Sequence, residues 1–375
     1  MTRRRISMSD FVIGAPLSWD VYDDSSKLLL RKGFVVESEQ QIEALIARGL
    51  FAESKASSTS PPPINRQVDK PSALRLINQA NKRMGHLLYN LLHEAELESK
   101  IMEVGADIKR AVDINVHVAL GSIILNRAAI AYPVRHCVDT AIISLLVARA
   151  LEMPDAEIDI ILAAALTMNI GMLHQQEQLQ DKAGILNDDD KNIIKTHPQT
   201  GIRLLKQAGV KNDSWLLTVL THHENEDGSG YPLGKTGLKI PLGAKIIAIA
   251  DRYCATISPR SYRKALLPNV AMRSVFLDEK QNIDQSLSAV FMQVLGMYPA
   301  GAFVKLINGE LCVVTEQGEV RKSPIVHALI GSNGVKLAFP LSRNTARSMY
   351  AIQDYAEEMT TPVNMQTLWG DDAAL

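Results

Sequence analysis

The chain has 375 residues, 46% of them hydrophobic and 22% charged, with a net charge of −1. That length suits one large domain with a small appendage or two, and the near-neutral balance argues against a nucleic-acid binder, which carries a basic surplus. Cys137, Cys254 and Cys312 are widely separated and odd in number, which excludes a disulfide framework as the organising feature.

The opening Met-Thr-Arg-Arg-Arg is basic, but no apolar signal segment follows it. Residues 1–53 read as a small α+β module. Leu17–Asp23 and Leu28–Val36 form two short strands about a polar Asp/Ser turn, and Ser38 caps a helix ending at Gly49. Residues 54–72, rich in Ser, Pro and Lys, form a linker. From 73 to 298 the pattern is helical. Leu74–Glu98 and Lys100–Asn126 carry apolar residues at spacings of three and four. Pro133 opens the next helix, with Val138, Ile142 and Leu145 as its stripe. Asp155 caps a run that is apolar nearly all round and therefore central to a bundle. The longest apolar run, Ile160 to Leu166, is too short to span a bilayer, so no membrane span and a cytoplasmic location are expected. Asn187 followed by three aspartates starts another helix, and Pro198 interrupts after His197. Asp213 precedes a helix that ends at His222 and His223, and 243–257 is helical again and carries Asp251. Residues 299–345 alternate apolar with polar around an Asn308–Gly309 turn and read as an antiparallel β element. Residues 346–375 read as a partly ordered tail.

The informative stretch is 221–241, THHENEDGSGYPLGKTGLKIP. Adjacent imidazoles suit a transition metal, because each offers a neutral nitrogen. The glycines let backbone amides approach a ligand closely. On chemistry alone a plain loop reading is equally good. The ordered pattern HHENEDGSGYP, however, closely resembles the HHExxDGxGYP signature of HD-GYP domains, metal-dependent phosphohydrolases acting on cyclic di-GMP. The resemblance runs from about 131 to 284. It implies a mainly α fold: an HD-GYP-type helical bundle flanked by the N-terminal α+β module and the C-terminal antiparallel β element.

The resemblance also assigns residues. His136, His197, His222, His223 and Asp251 match metal-ligand positions, and Gly230, Tyr231 and Pro232 match the loop that names the family. Arg260 and Arg263 match basic positions that hold substrate phosphates. Taken singly, His136 reads more readily as a helix-end histidine bonded to a carbonyl, and His197 fits that reading as well as a ligand's.

The departure lies where the family has HDxGK. Here the chain reads Met168-Asn169-Ile170-Gly171-Met172, and the later Lys182 confirms the alignment without an insertion. A metal histidine has become Met168, the bridging aspartate Asn169 and the phosphate-facing lysine Met172. Two divalent ions about 4 Å apart repel, and a neutral amide cannot supply the charge that offsets this. Met168 is a soft thioether, poorly matched to Fe or Mn. The surviving ligands suit a single divalent ion (Fe, Mn or similar), with Met168 and Met172 as apolar filling; His174 or Cys254 are conceivable compensating ligands.

Three functions follow from the resemblance. The first is an impaired or inactive HD-GYP protein of cyclic di-GMP signalling that binds cyclic di-GMP or a protein partner, such as a GGDEF-type diguanylate cyclase. The second is a weak metal-dependent phosphodiesterase on the remaining ligands. The third is a scaffold with no small ligand.

Overall fold

The computed structural model describes residues 2–5, 17, 21–22, 28–30, 51–54 and 71–375, the last range apart from 127–129, 183–185, 260–264, 279–282, 321, 358 and 360–361. The chain divides into two compact units, Met1–Asp69 and Lys70–Leu375.

In the first unit, β2 (Val21–Tyr22) pairs antiparallel with β3 (Leu28–Leu30), the hairpin the alternation predicts. Two strands that the sequence did not suggest, β1 (Thr2–Arg5) and β4 (Phe51–Ser54), complete a sheet of order β1-β4-β2-β3. The helix expected over 38–49 lies outside the described residues.

The second unit begins with α1 (Ala73–Tyr89), capped by Ser72, whose hydroxyl accepts from the Arg75 amide. Its apolar positions Ile77, Ala80, Met84 and Leu87 recur at helical spacing and are buried. The single helix expected over 100–126 is two, α2 (Leu97–Ile114) and α3 (Val116–Leu125). Asn115 makes the break: its backbone is extended, and its Oδ1 accepts from the amides of His117 and Val118. Next come α4 (Tyr132–Ala150), entered through Pro133, and α5 (Asp155–Thr167), capped by Pro154 with Asp155 in its first turn. A 3₁₀ turn over Ile170–Met172 leads into α6 (Leu173–Asp181). The stretch Asp155–Leu179 is apolar and long enough to cross a membrane by composition, yet 72% of its most apolar window is buried, as a central bundle helix requires.

A capping box between Asn187 and Asp190 starts α7 (Asp188–Gln207). Pro198 does not end this helix, contrary to expectation; α7 runs through it. Asn212, rather than Asp213, caps α8 (Asp213–Thr221), and α9 (Leu242–Ile257) carries Asp251. Two shorter helices follow, α10 (Pro268–Arg273) and α11 (Gln285–Leu295).

The C-terminal sheet is antiparallel, in the order β8-β7-β6-β5-β9. Its strands are β5 (Phe303–Leu306), β6 (Leu311–Glu316), β7 (Ile325–Ile330), β8 (Lys336–Asn344) and β9 (Ile352–Tyr355). The tail expected after 345 is in fact structural. Strand β9 covers the edge of β5 that would otherwise expose unpaired amides. Trp369, in the short helix α12 (Gln366–Trp369), donates its indole N–H to the Thr315 carbonyl at 2.9 Å. One hydrophobic cluster runs from Ala73 to Ala373, so bundle and sheet share a core.

The turn after α5 meets α7 at Gly171. A Cβ there would lie 2.0 Å from the His197 carbonyl oxygen and 2.7 Å from the Gly201 nitrogen. Only glycine permits this approach, which brings Asn169 beside His197's helix. Gly171→Ala is therefore expected to destabilise the chain by about 1–3 kcal/mol, as overpacking does. The interior helical Gly85, with its nearest neighbour 3.9 Å from a Cβ, should gain about 0.5–1 kcal/mol as Gly85→Ala. Urea unfolding of both variants checks the pair, and equal midpoints would contradict the close approach.

Candidate metal and ligand site

His197 lies inside α7, directly before Pro198. Proline has no N–H, so the carbonyl four residues earlier, that of Ile194, loses its helical donor. His197 Nδ1 takes the vacated acceptor at 2.7 Å. His222 follows the last turn of α8, where carbonyls lack helical partners. Its Nδ1 bonds the Val219 carbonyl, also at 2.7 Å. In both rings the carbonyl holds the proton on Nδ1 and leaves a lone pair on Nε2. The two Nε2 atoms face each other at 3.3 Å, with no proton between them to share.

His223 completes the group: ligand nitrogens of His197, His222 and His223 lie within 4.8 Å of one another. Burial, then the adjacent His222, pulls His197 down to about 3. Burial likewise lowers His222 and His223. Converging neutral imidazoles are a donor set suited to a divalent transition ion, and a cation between the facing lone pairs would replace repulsion by coordination.

His136 from α4 and Asp251 from α9 form a second subset, with Nε2 and Oδ1 2.6 Å apart. Burial by itself would raise the Asp251 carboxyl. The hydrogen bond and charge of His136, with smaller contributions from His223 and His222, outweigh it and hold the group well below the usual carboxylate range. His136, His223 and Asp251 line one cavity of about 180 Å³. The five expected ligands are thus assembled, three in a tight group and two as a pair on the same cavity.

Met168 is fully buried in the hydrophobic core and does not line the cavity. Asn169 and Met172 do line it. Asn169 is 2% exposed, and its Oδ1 has no hydrogen-bond partner among the described residues. Neither conceivable substitute ligand is in place. His174 is exposed against Tyr89, ring centroids 5.6 Å apart. Cys254 is buried, with its thiol pushed well up by burial, and it is not among the clustered ligands.

The loop after His223 is tied down residue by residue. Tyr231 stacks on His223 with centroids 4.7 Å apart and lines the cavity. Its amide donates to the His223 carbonyl at 3.1 Å. A Cβ on Gly230 would lie 2.4 Å from the Asn225 nitrogen, so this crossing needs glycine. Pro232 follows a cis peptide bond and, like Gly230, shapes the loop rather than lining the cavity. Glu224, given no role from sequence, is 4% exposed and accepts from the Leu233 and Lys235 amides at 2.7 and 2.8 Å. An acid inside a glycine-rich stretch was the available signal, since such loops leave backbone donors without partners. Tyr132, another residue without an assigned role, stacks on His136 and lines the cavity. Arg260 and Arg263 lie outside the described residues.

Comparison with known proteins follows the same lines. Residues 124–287 match the family model for the HD domain. Cyclic di-GMP phosphodiesterase PA4108 of Pseudomonas aeruginosa is 31% identical over 235 residues, covering 63% of this chain and 54% of that protein. The cyclic di-GMP phosphodiesterase response regulator RpfG of Xanthomonas campestris is 36% identical over 142 residues, 37% of each. The structure of Bd1817, a HDG"Y"P protein from Bdellovibrio bacteriovorus, aligns with a TM-score of 0.52 at 14% identity. That match covers 78% of this chain and 99% of Bd1817, and it is a likeness of fold.

The chain thus carries an HD domain over residues 124–287. It spans about half or less of the length of the curated relatives it matches. Within this HD domain lie the histidine cluster and the Gly-Tyr-Pro loop, and the 168–172 turn holds Met, Asn and Met.

Two outcomes test this geometry. The three clustered imidazoles are held neutral in the folded chain, whereas an unfolded histidine protonates near pH ~6.5. The folded state therefore binds fewer protons, and stability falls as pH drops below that value toward 4. The slope reaches about 1.4 kcal/mol per pH unit for each ring. Urea midpoints of chelator-treated protein check it; His197→Gln should remove about one proton's worth of slope, and a flat profile from pH 7 to 5 would refute it. Glu224→Gln should weaken two charge-assisted bonds and cost about 1–3 kcal/mol. Amide exchange over 225–239 should accelerate more than exchange in α4.

Proposed function

We propose that this HD-GYP domain acts in cyclic di-GMP signalling by binding, with two-metal phosphodiester hydrolysis lost. The observation that carries the reading is Asn169, which lines the cavity where the family places its bridging carboxylate and whose buried Oδ1 has no hydrogen-bond partner among the described residues. An amide oxygen coordinates a hard ion but brings no charge, and two cations about 4 Å apart need that charge. Met168 supports the same reading, because its sulfur is packed into the core rather than offered to the cavity. Cyclic di-GMP or a protein is the bound partner. The Gly-Tyr-Pro loop, with Leu233 and Leu238 exposed, favours a signalling protein such as a GGDEF-type cyclase on that face.

A second reading has its own support. The facing lone pairs of His197 and His222 suit one divalent ion, Fe or Mn, which would lower the pKa of a bound water and polarise a phosphoester oxygen. On that reading the domain is a slow single-metal phosphodiesterase, with Asp251 and His136 placed to hold or move a proton at the cavity wall.

Metal content, cyclic di-GMP hydrolysis and calorimetric titration of one preparation, purified without chelator, separate the readings. We expect at most one ion per chain, no linearised product, and saturable binding of cyclic di-GMP. One ion with slow turnover would select the second reading; two ions with rapid turnover would sink both.

A further inference from the structure

We propose that one end of the C-terminal sheet is a docking surface for an anionic lipid membrane, which it meets through the tips of three turns. The inference is independent of the metal and ligand site.

Strand order and direction bring those turns together. Strands β5 to β8 run up and down in sequence, and β9 returns antiparallel to β5. The β5–β6 turn, the β7–β8 turn and the segment entering β9 therefore emerge at the same end of the sheet. Contacts between them agree. The Ile307 amide donates to the Ala351 carbonyl at 3.0 Å, which joins the first turn to the third. A Cβ on Gly309 would lie 3.6 Å from the Ser332 carbonyl oxygen, which sets the second turn beside the first.

Each turn carries one large aliphatic side chain into solvent. Ile307, Val335 and Met349 are 56%, 60% and 58% exposed. Scattered singly, such residues are ordinary; on three adjoining turns they form a patch. The charge around them has one sign. Lys336 follows Val335, Arg347 lies two residues before Met349, and both are exposed. Glu310 is the one acid in the three turns (307–310, 331–335 and 345–351), and it is buried. Arg343 neutralises it, donating from Nε and Nη2 at 2.8 and 2.7 Å. Apolar tips set in a basic rim are complementary to an acyl layer beneath anionic headgroups.

Size favours lipid over protein. A stable protein interface takes about 800 Å² from each partner, roughly 20–30 residues a side, and three side-chain tips fall well short of that. A bilayer sets no such requirement, because each tip enters it separately. Each basic residue near an anionic surface then adds about fivefold to the partitioning.

Co-sedimentation of the full chain with sucrose-loaded vesicles tests this, comparing phosphatidylglycerol mixed into phosphatidylcholine with phosphatidylcholine alone. We expect binding to the anionic vesicles, partitioning at least about tenfold weaker onto the neutral ones, and loss of binding as salt is raised. Ile307→Ser/Val335→Ser/Met349→Ser should lower partitioning at least about tenfold with the thermal midpoint unchanged. Val320→Ser removes a side chain that is 59% exposed at the opposite end of the sheet, between β6 and β7, and should leave partitioning unchanged. If the triple variant fails to fold, Lys336→Glu/Arg347→Glu decides instead and should abolish binding to anionic vesicles. Retained binding in either variant, an equal loss in Val320→Ser, equal binding to neutral vesicles, or none to anionic ones overturns the proposal. So does a concentration-dependent dimer that the triple variant disperses, since a second copy of the chain is then the occupant.

Discussion

Two backbone carbonyls govern the chemistry of this domain. Ile194 O is released from its helical duty by Pro198, and Val219 O is left over at the end of α8. Each takes the Nδ1 proton of one histidine, and each thereby aims an Nε2 lone pair at the other. No acidic partner touches either Nε2 among the described residues; helix geometry alone sets both tautomers. This explains why a proline is tolerated in the interior of α7, where it would ordinarily cost about 3 kcal/mol or more. The carbonyl it orphans is satisfied by the ring it orients.

The 168–172 turn shows fold and chemistry separating within five residues. Gly171 stays because a side chain there would collide with the His197 carbonyl. Its neighbours are not constrained in this way. Met168 joins the core, Met172 joins the apolar wall, and Asn169 keeps the shape of an aspartate without its charge. The backbone is thus held for packing, while Asn169 and Met172 bring the cavity lining no charge. Asp251 remains as the carboxylate of the lining, steadied by His136.

The Gly-Tyr-Pro loop is fastened at several points. Glu224 gathers two of its amides, and Arg252 donates to Asn225 at 2.6 Å. Lys245 pairs with Glu226 at 2.6 Å and reaches Asp284, the cap of α11, at 3.5 Å. The loop is therefore bolted to α9 and α11, and Tyr231 is delivered onto His223 by the same framework. Buried carboxylates that accept backbone N–H groups are strong fasteners, and Glu224 supplies one to this glycine-rich stretch.

Local signals made much of this legible from the residues alone. Apolar spacing gave α1, α4 and α5, Asn187 with its aspartates gave the start of α7, Asn308–Gly309 gave a hairpin, and the histidine pair with its loop pointed to the family. Each depends on neighbours within a few positions, so a one-dimensional reading suffices. Tertiary contact decided the rest. Whether Asn115 caps a new helix depends on where α3 must pack; whether Pro198 ends α7 depends on His197 finding the freed carbonyl. The sheet needed β9 because β5 would otherwise present an open edge, a fact invisible in the tail's own composition. Gln176 reads as an ordinary helical glutamine until the fold buries its Oε1 and puts the residue on the cavity lining with Asn169. Sequence sets which groups the chain carries, and only three-dimensional burial decides which of them are left without a partner.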